Sequence, residues 1–381
     1  MFRSKLASAT VCAVLFSSLL NAQNSVKLKY SNSSLYAGIE VGSKGVKLSI
    51  VEIGKNARAD GAFNIVKDTS VNTDFITFSK MTYENTLYSF YGLYTTAITR
   101  YGVIPANIFT MISSGVQIQA DKESKSSYVK DLISAFKEKV KDNQRKVEVI
   151  DVTQEARLSH LGIIPEEQRY KTFLIDVGSG NTKGGYFPYG NTKEFKLFQL
   201  SWGTKSIVNA AEKKMDDNDK TLNSFNTQLT RVLAGVENSE LNYAVNASGA
   251  YPMSDNIALS GGIVWSVATL LHPEMADKTV VPVSFNEVKE FSERLFKDFE
   301  STSADALVKQ LKGTRELKEI ATKEIARVHY VFDQRSLMAG TGLLVKLMRQ
   351  FSSVYETKQF YFVKNGQVGW ISAYVDQNVS K

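Results

Sequence analysis

The stretch YAGIEVGSKGVKLSIVEI at 36–53 decides the fold, together with its counterpart FLIDVGSGNTKGGYF at 173–187. In each, an apolar run (Ile39 and Val41; Phe173, Leu174, Ile175 and Val177) predicts a buried strand, and an acidic residue, Glu40 or Asp176, stands two positions before a glycine. Glycine tolerates positive φ and has no Cβ, so successive backbone N–H groups in such a turn can converge on an anion. A strand continues each segment, through Val46, Leu48 and Ile50 or through Gly185, Tyr186 and Phe187, and no GK[ST] follows either turn. That excludes a P-loop. A single copy of this hairpin would be read as structural, because strand, glycine turn and strand form the commonest antiparallel unit.

Two copies with further segments around them say more. VTQEARLSHLGI (152–163) lies between them, and LSWGTKSI (200–207) and IALSGGIVWSVATLL (257–271) follow. In this order and wording the chain resembles the exopolyphosphatase/guanosine pentaphosphate phosphatase (Ppx/GppA) family, a branch of the sugar-kinase/actin ATPase superfamily, from about Tyr36 to about Val375. The resemblance implies an α/β fold of two ribonuclease-H-like (actin/sugar-kinase-type) lobes with an interlobe cleft. It assigns to Glu155, within E-A-R-L, the role of general base on an attacking water. The family's first phosphate turn, D-x-G-S-N-S, matches Glu40, Gly42, Ser43, Lys44 and Gly45; its second, D-x-G-G-G-S, matches Asp176, Gly178, Ser179, Gly180 and Asn181. It further implies Mg²⁺ anchored near Asp176 and Glu40. In related folds a Gly-Gly pair, here Gly261 and Gly262, contacts a nucleotide or the far part of a phosphate chain; the alternative is a helix start that Ser260 caps.

The departures from the family pattern bear on activity. Glu40 is one methylene longer than the usual Asp, and Asn181 also departs from the pattern. The family's T-x-x-x-R aligns with 113–117, where the final residue is Gln117, and a neutral amide cannot replace a bidentate guanidinium on phosphate. Lys44 and Lys183, inside the turns, are either point charges for a phosphate or solvated turn lysines.

Arg3 and Lys5 precede an apolar stretch from Leu6 to Leu20 and a small residue at Ala22, the pattern of a signal peptide over 1–22 and of a periplasmic or secreted protein. That stretch is short for a membrane span, and none is expected after its removal. Cys12 is the chain's one cysteine, so the mature protein is expected to have no disulfide framework and no cysteine nucleophile. His160, His272 and His329 are isolated, which argues against a zinc site and leaves His160 structural. The net charge of +7 favours polyanions, and the basic cluster at 137–146 reads as a solvated helix face rather than a nucleic-acid site; no duplex partner is expected.

Apolar residues make up 43% of the chain, enough for large cores, and the length suits two domains: a first lobe at 23–151 and a second at 152–381 with a C-terminal helix and hairpin. Strands are expected at 63–67, 75–78, 108–112, 147–152, 195–200 and 256–259, and helices near 83–101, 126–141, 153–161, 204, 283–298 and 331–351. A strand pair at 359–363 and 368–375 around Asn365-Gly366 completes the reading. The resemblance, with the leader at 1–22, implies an exported phosphoanhydride hydrolase acting on polyphosphate or a nucleotide polyphosphate. The alternative is a catalytically impaired phosphate-ligand binding protein of the same fold; either reading admits a homodimer.

Overall fold

The computed structural model describes residues 28–54, 63–249, 254–352, 358–364 and 366–379; the expected signal peptide, 1–22, lies outside them. β1 (Ser33–Val41), β2 (Gly45–Gly54) and β3 (Phe63–Asn72) form an antiparallel meander, and β4 (Ile108–Ile112) and β5 (Val147–Val149) extend it in parallel, giving the order β3-β2-β1-β4-β5. β6 (Thr172–Val177), β7 (Thr182–Tyr186) and β8 (Lys196–Leu200) repeat the meander. β9 (Asn256–Ser260) joins β6 in parallel, and beyond it lie β10 (Val280–Val283) and β11 (Gln359–Val363) in the order β10-β11-β9-β6-β7-β8. Each sheet therefore carries three antiparallel strands followed by two parallel ones, and the second adds β10, antiparallel to β11, at its edge. The molecule is the expected pair of ribonuclease-H-like α/β lobes.

Parallel neighbours require crossovers, and helices on both faces of a sheet bury its central strands as continuous apolar runs. On the first sheet, Ile39, Val41, Val46, Leu48 and Ile50 pack beneath helices Lys80–Thr99 and Ser126–Lys139, whose Phe90 and Phe136 stack at 3.7 Å. The opposite face presents Val51, Ile53 and Met111 to Leu158 of helix Val152–Ile163 and to Trp370, Ile371, Tyr374 and Val375 of helix Gly366–Val379. Strand alternation puts Glu40 and Lys47 on this second face. The second lobe buries Phe173, Phe198, Ile257 and Leu259 beneath helices that include Gly262–Leu271 and Gln334–Ser352.

The structure corrects three local readings. The segment expected as a strand at 368–375 belongs to helix Gly366–Val379; Asn365 lies outside the described residues. Trp370, Ile371, Tyr374 and Val375 fall on one helical face, and burying that face on the first sheet overrides the alternation and the Asn-Gly signal. The stretch 75–78 is a 3-10 turn, Phe75–Thr77, flanked by Asp74 and Phe78 at φ 50° and 48°, so its buried aromatics plug the core without pairing. Ser260 does not cap the helix after it: Gly261, at φ 108°, takes that position, and the Ser260 hydroxyl donates to Asp176 at 2.9 Å.

Glycines set the depth of the helix that carries Glu155. Helices Val152–Ile163 and Gly366–Val379 cross at Gly162 and Gly369, where a methyl on Gly162 would lie 2.1 Å from the Gly369 carbonyl oxygen. The second helix also lies directly on Gly38 of β1, where a methyl would meet Ile371 Cγ2 at 2.1 Å. Any larger residue at these points would lift the helix pair off the sheet.

Candidate functional site

The same register recurs in both hairpins. Glu40 on β1 is the cross-strand partner of Lys47 on β2, and Asp176 on β6 is the partner of Lys183 on β7. The turns between them close alike, with the Gly42 N–H donating to Gly45 O at 2.8 Å and the Gly178 N–H to Asn181 O at 3.0 Å. The two turns also meet: a methyl on Gly180 would come within 2.3 Å of Ser43 Oγ and 2.8 Å of Gly115 O. Glycine at 180 is what allows that approach.

A cavity of about 120 Å³ opens where the lobes converge. It is lined by Glu155, by Glu40 and Asp176, by Gly42, Ser43, Lys44 and Gly45, by Gly178, Ser179, Gly180 and Asn181, and by Gly261 and Gly262. Every candidate named from the sequence is therefore in one place. With Lys47, Lys183 and Arg327, four cationic side chains and three carboxylates line the cavity.

Lys183 is the centre of this arrangement. Its Nζ stands 2.9 Å from Glu155 Oε1 and 3.0 Å from Asp176 Oδ2, with all three side chains buried. The Ser114 N–H donates to the other Glu155 oxygen at 2.8 Å, and the Ser260 hydroxyl to the other Asp176 oxygen. Burial opposes the Lys183 charge, but Asp176 and Glu155 more than offset it and hold the ammonium well above the ordinary lysine range. Lys47 Nζ lies 3.4 Å from Glu40 Oε2, within ion-pair range, although that oxygen accepts no hydrogen bond among the described residues. Burial, reinforced by the charge of Glu155 and opposed by Lys47 and Lys183, pushes the Glu40 carboxyl up.

Lys44 lines the cavity but commits its ammonium to the second lobe. It donates to Val331 O, at the end of helix Arg315–Val331, and sits 4.0 Å over the Phe332 ring. Burial lowers its pKa to about 8. Gln119 Nε2 also spans the lobes, donating to Gly180 O at 2.6 Å and Ser201 O at 3.1 Å. Gln117, aligned with the family's phosphate-gripping arginine, instead donates to Asp121 at 2.8 Å on the surface. A guanidinium does reach the cavity wall: Arg327, 4.9 Å over the Trp265 ring.

The residues present do not fit the implied Mg²⁺. Among the described residues no group of three or more histidine, cysteine, aspartate or glutamate side chains is placed to hold a metal. Glu40 and Asp176, the expected ligands, each face an ammonium. A divalent ion between them would sit beside those like charges, and even a pair of unit charges 4 Å apart repels by about 4 kcal/mol at an effective dielectric of ~20.

His160 lies outside the cavity lining. It is fully buried, with Nε2 3.0 Å from Thr172 O and its ring edge-on to Phe187 and Phe195. Burial lowers its pKa from 6.5 to about 4. Because the folded value lies below the unfolded one, the stability from neutral His160 is complete above pH 6.5 and is lost as pH falls through about 4. The loss reaches about 3 kcal/mol. His160→Phe should therefore flatten the fall in melting temperature across that window; an unchanged slope would mean other groups set the acid sensitivity.

No protein-family model matches the chain, and no curated protein matches it in sequence. Solved structures do match in shape. The Ppx/GppA family member of Aquifex aeolicus aligns over 91% of this chain and 98% of its own, at 16% identity and a TM-score of 0.57. An exopolyphosphatase from Cytophaga hutchinsonii aligns over 90% and 98%, at 14% identity and a TM-score of 0.53. An exopolyphosphatase-like protein aligns over 90% and 98%, at 13% identity and a TM-score of 0.58. The chain has the two-lobed fold of the Ppx/GppA phosphatases.

Proposed function

We propose that the interlobe cleft binds a phosphoanhydride polyanion, such as polyphosphate or a nucleotide polyphosphate, and that the chain acts as an exported binding protein in which turnover is suppressed. The observation that carries this reading is the Lys183 bridge. Both Glu155 oxygens already face a donor, and Lys183 stands between Glu155 and Asp176. A water attacking a phosphate held at the turns would have to share Glu155 with the Lys183 ammonium and the Ser114 N–H. The cations lining the cavity and the backbone N–H groups of the two turns suit binding of a polyanion without requiring chemistry. Export rests on Arg3, Lys5, the apolar stretch 6–20 and Ala22, and implies a mature chain starting at Gln23.

One observation favours a second reading, hydrolysis. Glu155 lies deep in the cavity beside both turns, and a polyanion that drew the Lys183 ammonium toward itself would free the carboxylate as a base. One experiment separates the two. Purified mature protein is titrated with tripolyphosphate and with a guanosine pentaphosphate, and phosphate release is followed in the same samples. Saturable binding without release is expected. Release that Glu155→Gln lowers by about 10²- to 10⁴-fold would replace the binding reading with hydrolysis, and absence of binding to any of these ligands would end both.

A further inference from the structure

We infer that Lys183, with Lys47 beside it, holds the place a divalent cation would take, so that the cleft receives its phosphoanhydride as the free anion and without metal. This rests on the reading of the cleft as a phosphoanhydride site. Three features of the geometry carry it.

The first is symmetry. Each turn has its carboxylate and its lysine as direct cross-strand partners, Glu40 with Lys47 and Asp176 with Lys183. Each acid therefore arrives with a fixed cation on the neighbouring strand. The second is position. The Lys183 Nζ lies 3.7 Å from where a methyl on Gly178 would be, beside the second turn, whose backbone N–H groups could receive a phosphate. The third is donor capacity. Glu155 and Asp176 engage two of the ammonium's three N–H donors, which leaves one for a ligand oxygen. Lys47, whose side chain is 32% exposed, can reach a ligand from the first turn.

A metal ion bridging acidic side chains and phosphate oxygens neutralises both at once. Here the ammonium does that work, with its carboxylates already in place on one side. Because the cation is part of the chain, free Mg²⁺ has nothing to add at the site, and by complexing the ligand in solution it competes with the protein.

The test is calorimetric titration of the mature protein with sodium tripolyphosphate, once in EDTA and once in excess MgCl₂, with melting curves in MgCl₂ alone. Binding in EDTA at least as tight as in MgCl₂, and no melting shift from MgCl₂, is the expected result. Lys183→Gln adds a second readout: with the ammonium gone, Glu155 and Asp176 are open to a metal, and MgCl₂ should raise the melting temperature of this variant but not of the parent. Binding that tightens about tenfold or more with Mg²⁺ would overturn the metal-free site while leaving the ligand class intact. A parent melting temperature that rises with MgCl₂ would overturn it as well, and no binding in either buffer would end the ligand reading and this inference together.

Discussion

Lys183→Met is expected to destabilise the protein by about 3–5 kcal/mol, because removing one partner of a buried ion pair leaves the other charge uncompensated. Here two carboxylates, Glu155 and Asp176, would be stranded in the cavity, each keeping a single neutral donor from Ser114 or Ser260. The drop in melting temperature should be on the order of 10 °C. Adding Asp176→Asn and Glu155→Gln to the same chain should restore most of the loss at neutral pH. Thermal unfolding of the three proteins at neutral pH checks this; a Lys183→Met protein as stable as its parent would show that the ammonium does not hold the carboxylates together.

Glu155→Gln is expected to tighten the binding of tripolyphosphate. Gln keeps the shape and an oxygen for the Ser114 N–H, but it removes the charge of one of the three carboxylates that line the cavity. It also leaves Lys183 paired with Asp176 alone. One charge removed at ~5 Å is worth about 3 kcal/mol at an effective dielectric of ~20, and after screening a gain of about tenfold in affinity remains. Titration of parent and variant side by side reads it. If the variant binds more weakly, Glu155 contacts the ligand in some way that the charge argument misses.

Much of this was legible in the sequence, and the missing parts have physical reasons. The paired hairpins, the buried strands after them and the residues at both turns were all readable, because glycine and acid placement is a local signal. Lys47 was not. The strand continuing through Val46, Leu48 and Ile50 puts Lys47 on its opposite side, where alternation alone suggests solvent, whereas this sheet is covered on both faces and the second face opens on the cleft. A signal for it was present: EVGSKGVK at 40–47 and DVGSGNTK at 176–183 share acid, Val, Gly, Ser and a closing Lys at equal spacing. Arg327 and Gln119 reach the interlobe region from helices far from either motif, and no local pattern marks them. The last helix was missed because an Asn-Gly pair and a few alternating apolar residues mimic a hairpin over so short a stretch.

That last helix has a consequence for the order in which the molecule assembles. The first sheet's second face is closed by residues 366–379, which are separated from β1 by most of the chain's length. Until they arrive, helix Val152–Ile163 alone packs against Val51, Ile53 and Met111, so the lobe that begins the sequence cannot reach its final packing before residues 366–379 are present. Contacts between such distant segments form slowly, since a long loop must close before they contribute. In synthesis from the N-terminus the early lobe is therefore expected to stay partly open on that side, and the contact that closes it also seats Gly369 against Gly162 on the helix bearing Glu155. Completion of the fold and completion of the cleft thus depend on the same late-arriving segment.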